Sequence, residues 1–308
     1  MATALSYVDI IDRTTAAAKR IIPILAPLQH HCAPELLQAT KADITAYSPT
    51  RFLMPDAVLF DVRDDGIAII TINRPDTRNC LSKEVREGLF AAWHRFEHDP
   101  NLRVAILTGS GEKAFCAGGD LKEMVDRQLT VPPRDMFPVP GDNIELSKPT
   151  IAAVNGVAFA GGWMIAQACD LCVASHSAKF AVTEVKVGRS SPWASPLIHM
   201  IPQRIMMEIL LTGKAITAQR AYEIGLVNRL SEPAELMNTA IEFAHEILAG
   251  APLSVKAARE TVLLSTEMGR SAALAAARDA SEYCYNSEDA QEGPRSFAEK
   301  RPAQWKNR

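Results

Sequence analysis

Two stretches of this chain share one arrangement: a short apolar run, a cluster of glycines and small residues, then the start of a helix. In the first, residues 104–107 lead into Gly109, Gly111, Gly118 and Gly119, and Asp120 opens a helix. In the second, residues 150–154 lead into Asn155-Gly156 and Gly161-Gly162, with a helix over 162–168. Buried strands feeding helices through glycine turns point to an α/β fold. At a helix start the first N–H groups lack intrahelical acceptors, and the helix dipole favours negative charge. Each loop therefore suits an anionic atom. One such loop is weak evidence, because tight turns need glycine for steric reasons alone. Two loops that converge would place two N–H donors on one developing oxyanion. Periodicity does not show that convergence.

The rest of the chain alternates in the same way. Residues 58–62 and 67–72 read as strands of a hairpin turned at Asp64-Asp65-Gly66. Ser82 caps a helix to about His98, with Val85, Leu89, Trp93 and Phe96 on one face. Residues 128–142 carry Pro132, Pro133, Pro138 and Pro140 and read as a mobile surface loop. A strand over 171–174 follows the second glycine loop. Beyond Pro202 the pattern is mostly helical, over 204–211, 218–224, 233–249, 254–265 and 271–285. The expected division is an N-terminal helical extension (1–55), an α/β core (56–201) and a helical C-terminal region (202–308). The extension shows no chemistry.

Composition and motifs exclude several classes. The net charge is −3, from 33 Lys and Arg against 36 Asp and Glu, which argues against a protein whose main work is coating nucleic acid. Six cysteines in 308 residues are too few and scattered for a disulfide scaffold. Cys169 and Cys172 have no second pair and no His at ligand spacing, so no metal site is expected. Residues 149–169 are uncharged over membrane-span length, but Asn155-Gly156 and Gly161-Gly162 break the run as turns. Neither a signal peptide nor a transit peptide is read at the start, so a cytoplasmic protein with no membrane partner is expected. No G-x-G-x-x-G follows a strand, and Gly213-Lys214 lacks both the upstream glycine and the following Ser or Thr of a P-loop. No G-x-S-x-G elbow occurs.

Six segments, in order from about residue 58 to the C-terminus, resemble the crotonase superfamily, which includes enoyl-CoA hydratases and isomerases. Asn73-Arg74-Pro75, continued by Arg78-Asn79-Cys80-Leu81, resembles its N-R-P-x-x-x-N-A-L segment. Ala114-Phe115-Cys116-Ala117-Gly118-Gly119-Asp120-Leu121-Lys122 resembles A-F-x-A-G-x-D-[IL]-K. Asn155-Gly156, Gly161-Gly162 and Cys169-Asp170 fall as in N-G-x-x-x-G-G-G-x-E-x-x-x-x-C-D. Phe180, Glu184 and Gly188 fit F-x-x-x-E-x-x-x-G; Ala221, Gly225, Leu226, Val227 and Asn228 fit A-x-x-x-G-L-V-[ND]; and 297–301 fits F-x-E-K-R.

The resemblance implies a spiral of β-β-α units with a helical C-terminal trimerisation region, assembled as a homotrimer or a dimer of trimers. It implies an acyl-CoA substrate, with coenzyme A present as part of that substrate and no permanently bound cofactor. It places the thioester oxygen between the N–H groups of Gly119 and Gly161. It puts Arg78, Cys80, Asp120, Leu121 and Lys122 on the coenzyme A side, and Trp163 and Met164 on the acyl pocket. Two departures matter. The hydratase pattern has a carboxylate where this chain has Met164, whereas its second carboxylate is matched by Glu184. Residues 160–164 resemble the A-G-G-x-L run of mitochondrial-type Δ3,Δ2-enoyl-CoA isomerases, which also lack the first carboxylate. The expected function is an enoyl-CoA isomerase or hydratase-like lyase with Glu184 as single acid/base. The alternatives are hydrolysis, decarboxylation or carbon–carbon cleavage of a CoA ester, with a further group from Asp135, Asp142 or Glu145, or a non-catalytic acyl-CoA-binding homologue. The basic stretch 295–308 could also meet CoA phosphates.

Overall fold

The computed structural model describes residues 56–128 and 130–308. The helical extension expected over 1–55 lies outside the described residues. Runs rich in β-branched and other apolar residues make β1 (Val58–Val62) and β2 (Ile67–Ile72) an antiparallel hairpin with Val58 opposite Ile72. Gly66 turns it at φ 85°, a conformation that disfavours a side chain. Four strands then extend the sheet in parallel beside β2: β3 (Val104–Gly109), β5 (Thr150–Val154), β7 (Leu171–Ser175) and β10 (Arg229–Ser231). Every residue of β3 and β5 is buried, as expected of parallel strands covered on both faces.

The two faces have different covers. On one, Leu89, Trp93 and Phe96 of helix α1 (Lys83–His98) pack with Ala68, Ile70, Ile72, Ala105 and Leu107. Ser82 caps α1, its Oγ accepting from Val85 N at 3.5 Å. On the other face, Leu236, Ala240 and Ala244 of α6 (Leu236–Leu248) pack with Ile67, Val104, Ile106, Ile151 and Val173.

A second sheet runs β4-β6-β8-β9, built from β4 (Ala114–Cys116), β6 (Val157–Phe159), β8 (Lys179–Ala181) and β9 (Ile216–Thr217). Each unit of the spiral therefore has a strand in the large sheet, a short strand in the small one, and a helical segment. The units are β3, β4 and α2 (Leu121–Asp126); β5, β6 and α3 (Gly161–Gln167); and β7, β8 and a 3-10 turn, Glu184–Val187. The crotonase-like spiral of β-β-α units is thus present. The sequence pattern had left residues 114–116 and 157–159 inside glycine loops. Three-residue strands are too short for a period to register, and their pairing is set by the sheet, which aligns Ala114 with Val157.

The C-terminal helices are α4 (Gln203–Thr212), α5 (Ala218–Glu223), α6, α7 (Pro252–Glu267), α8 (Arg270–Tyr285) and α9 (Glu288–Ala298). No described helix is long and apolar enough to cross a membrane. The proline-rich stretch expected as a mobile surface loop is pinned at its far end. Asn143 Oδ1 accepts from Val139 N at 2.9 Å, and its Nδ2 donates to Phe137 O at 2.7 Å, while Phe137 and Val139 pack on the core.

Candidate active site

The two glycine loops meet. Leu81 N donates to Gly118 O at 2.8 Å, and Ala117 N donates to Arg78 O at 3.0 Å, so the segment 78–81 lies along the first loop. Cys116 O approaches Gly162 so closely that no side chain fits there, which presses the start of α3 against the end of β4. A methyl group on Gly161 would lie 3.6 Å from Gly119 N, and one on Gly118 would lie 3.4 Å from Gly161 N. The amides of Gly119 and Gly161 are therefore neighbours. Neither donates to an acceptor among the described residues, and Gly161 is the first residue of its helix. Ala160 just before it takes φ 49° and ψ −121°, a costly conformation for a residue with a Cβ. Its N–H is held by Ala181 O at 2.8 Å. Such a pair of amides can hold an oxyanion.

That last bond also brings in the acid. Ala181 ends β8, and Glu184 opens the 3-10 turn three residues later. Glu184 is partly buried. Its Oε1 accepts from Trp193 Nε1 at 2.8 Å, while its Oε2 is buried without a hydrogen-bond partner. Burial pushes the Glu184 carboxyl above the usual range, against a weaker downward pull from its own N–H, the Trp193 indole and the N–H of Thr183. Met164, at the place of the family's first carboxylate, lies buried in the core. Trp163 is wholly buried and meets Phe180 edge-on, with ring centroids 5.7 Å apart. Asp135, Asp142 and Glu145, weighed as a second acid, are all exposed. The two amides can polarise a carbonyl, and Glu184 is a group able to take and return a proton.

The enoyl-CoA hydratase/isomerase family model matches residues 63–308. The chain belongs to that family. It is 39% identical to (E)-benzylidenesuccinyl-CoA hydratase of Thauera aromatica over 242 residues, covering 76% of this chain and 93% of that protein. It is 38% identical to enoyl-CoA hydratase EchA19 of Mycobacterium tuberculosis, covering 82% and 97%. The crystal structure of enoyl-CoA hydratase EchA1 from Mycobacterium marinum superposes with a TM-score of 0.76 at 38% identity, covering 82% of this chain and all of that one. The protein is a crotonase-type enzyme of the enoyl-CoA hydratase kind, from a family that acts on CoA esters.

In this crotonase chain the residues expected on the coenzyme A side gather near the start of α2. Asp120 is its N-cap, accepting from Lys122 N at 3.1 Å and Glu123 N at 3.3 Å. It also accepts from Cys80 Sγ at 3.6 Å. Burial raises the Cys80 thiol, which stays protonated. Leu121, Lys122 and Arg78 are exposed, and Arg78 takes a left-handed φ of 53°. The basic stretch 295–308 is largely matched by acids of its own neighbourhood: Arg301 pairs with Glu292 and Glu299, and Lys306 and Arg308 pair with Glu288. That leaves less charge for phosphates than a count of residues implied. Cys169 and Cys172 are buried thiols, the latter pushed up to about 12 by desolvation.

Sequence reasoning missed three framework residues. Asn79 is fully buried, donates to Ala114 O at 2.8 Å and Ser110 O at 3.0 Å, and accepts from Arg74 N at 2.9 Å. Its place in the N-R-P segment was visible, but its work is holding the first loop. Arg86, buried on α1, clasps Glu123 at 2.9 and 3.0 Å and donates to Leu81 O at 2.8 Å, which fixes α2 beside the loops. Trp193 lies outside the six segments that carry the resemblance, and no local signal tied it to Glu184.

Proposed function

We propose that this enzyme stabilises a thioester enolate between the amides of Gly119 and Gly161, and moves the proton with Glu184 alone. The substrate is an enoyl-CoA, with coenzyme A carried as part of it and no resident cofactor. The favoured reaction is the shift of a 3-enoyl-CoA to a 2-enoyl-CoA. Ionised Glu184 takes a proton from C2, and the electron pair moves through C1 onto the thioester oxygen. The amides hold that oxygen as a dienolate forms. Protonated Glu184 then returns the proton at C4, leaving a C2–C3 double bond and restoring the carboxylate. Trp163 and Met164 form the apolar side of the acyl pocket. Arg78, Cys80, Asp120, Leu121 and Lys122 frame the coenzyme A side, with Asp120 acting mainly as the cap that holds α2.

The observation that carries this reading is the asymmetry of the acid groups. One desolvated carboxylate has a free oxygen and a raised proton affinity, and a buried methionine stands in place of the other. A single group that takes and returns a proton suffices for isomerisation, whereas water addition also needs the water positioned and deprotonated. Hydration is the second reading, favoured by relatives named as hydratases and by the carnitinyl-CoA dehydratase of Proteus mirabilis, 37% identical over 249 residues. A panel of 3-enoyl-, 2-enoyl- and β-hydroxyacyl-CoAs, with products assigned by mass and double-bond position, separates the two. Faster hydration of 2-enoyl-CoA than isomerisation of 3-enoyl-CoA overturns the first reading.

The helical region 202–308 is assigned to assembly as a homotrimer or dimer of trimers. Its helices leave Leu211, Val262, Leu274, Tyr285 and Phe297 exposed, a surplus of apolar surface for a monomer. Light scattering that finds a monomer at micromolar concentration removes this assignment.

A further inference from the structure

We infer that Gln167 and Trp193 are positioning residues for Glu184, the glutamine setting the indole and the indole fixing which carboxylate oxygen exchanges the proton. The inference rests on the acid/base role proposed for Glu184. Gln167 is the last residue of α3, and its Nε2 donates to Trp193 O at 2.7 Å. A carbonyl only accepts, so the orientation of the amide is determined and its Oε1 is turned from Trp193. Trp193 in turn donates its indole N–H to Glu184 Oε1 at 2.8 Å. One carboxylate oxygen is thereby engaged, and Oε2 is left for the substrate.

The pattern of satisfaction supports the same picture. Buried polar side-chain atoms in folded proteins are almost always paired. Among the described residues three are not: Trp163 Nε1, Gln167 Oε1 and Glu184 Oε2. Trp163 and Gln167 stand four residues apart on α3, hence on one face, and Glu184 is joined to Gln167 through Trp193. The unpaired atoms thus fall on one connected group rather than being scattered through the core. The influences on the Glu184 carboxyl are burial, the N–H groups of Glu184 and Thr183, and the Trp193 indole, with no charged side chain among them. Lys186 lies on the same 3-10 turn, where it is exposed. Among the described residues, the Trp193 indole is the side chain that hydrogen-bonds this acid, and Arg189 meets Glu184 through its backbone N–H, which donates to Glu184 O at 3.0 Å.

The test is kcat/KM against pH for the wild type, Trp193→Phe, Gln167→Met and the double variant, using the CoA ester the protein turns over fastest. Because kcat/KM reports the free enzyme, its acid limb follows Glu184. An N–H donated to a carboxylate favours the charged form, so Trp193→Phe moves the limb to higher pH, by about one unit. Activity well above the limb returns to within a few-fold of wild type. Gln167→Met moves the limb the same way by less, and adds nothing in the double variant because it acts through the indole. A merely structural role changes denaturation midpoints and leaves the limb in place. An unmoved limb in Trp193→Phe, or a Gln167→Met shift that persists without Trp193, overturns the inference. If Trp193→Phe does not fold, Gln167→Met alone decides: a raised limb supports the relay and an unmoved one removes it. Glu184→Gln separates the two levels. An inactive Glu184→Gln with unmoved limbs removes only the relay, whereas an active one removes the acid/base role and the relay with it.

Discussion

The two halves of the proposed site are held by different means. On the oxyanion side the parts are backbone: the amides of Gly119 and Gly161, kept together by the absence of side chains at Gly118, Gly161 and Gly162 and by the strained turn at Ala160. On the acid side the parts are side chains: Glu184, anchored by Trp193, which is held by Gln167. A backbone pair can be displaced only by moving strands and helix starts, so that half is stiff and intolerant of substitution. The side-chain half can change its chemistry while the fold stays as it is. Met164, which stands where the family pattern has a carboxylate, is an instance of the second kind: it lies within the regular turn of α3.

The largest expected effect is on the side-chain half. Glu184→Gln keeps the shape but cannot accept a proton, so turnover should fall by about a thousand-fold or more while CoA-ester binding survives. Near-wild-type rates would end the single-acid mechanism. In the wild type the carboxylate must be ionised to act as base. Burial raises its pKa, so activity should rise with pH through a limb above the ordinary glutamate range. The same raised value sets a stability slope. The folded carboxyl holds its proton more tightly than the unfolded one, so stability falls as pH climbs from the unfolded pKa through the folded one, and is level beyond. Thermal unfolding of wild type against Glu184→Gln should show that slope in the wild type alone.

Adjacent glycines sharpen the contrast on the backbone half. In Gly162→Ala the methyl meets the Cys116 carbonyl, which belongs to a strand and cannot turn away, so a loss of about 3 kcal/mol or more is expected in chemical denaturation. In Gly161→Ala the methyl meets Leu81 Cδ1 at 3.0 Å, the movable end of a side chain, and stands beside Gly119 N. That variant should fold within about 1 kcal/mol of wild type and lose roughly 10- to 100-fold in kcat/KM, because the methyl crowds the donor pair. Equal damage to stability in both variants would mean that the amides are not a separable site.

The same contrast explains what could be read from the sequence. Glycine clusters after apolar runs are local signals, so both loops, the hairpin and α1 were legible, and the motif order supplied the reason for the loops to meet. The small sheet was not, because β4, β6 and β8 are three residues each and owe their form to neighbours up to 43 positions away, as Ala114 is from Val157. Glu184 was singled out only through its motif; as a lone carboxylate near a strand end it carries no local mark. Trp193 and Gln167 are 26 positions apart and joined by a side-chain amide on a carbonyl, a contact without any periodic signature.

The smallest effect tests how far the side-chain half can be rewritten. Met164→Glu puts a carboxylate at the place the hydratase pattern has one, one turn of α3 before Gln167. Met164 is only 5% exposed, so the new group must be desolvated, at a cost of about 1–3 kcal/mol in stability. Where the new carboxyl reaches Glu184, the two would not both ionise readily, and one would keep its proton at neutral pH. That supplies an acid the present site lacks. Hydration of a 2-enoyl-CoA should rise a few-fold while isomerisation of a 3-enoyl-CoA holds or falls, measured as steady-state rates on both substrates. The gain stays small because nothing yet orients the new group, whereas Glu184 has Trp193. A variant that loses both activities while remaining folded would show that Met164 is needed as apolar packing. The absence of a carboxylate there would then reflect the shape of the acyl pocket and leave the choice between isomerisation and hydration to other residues.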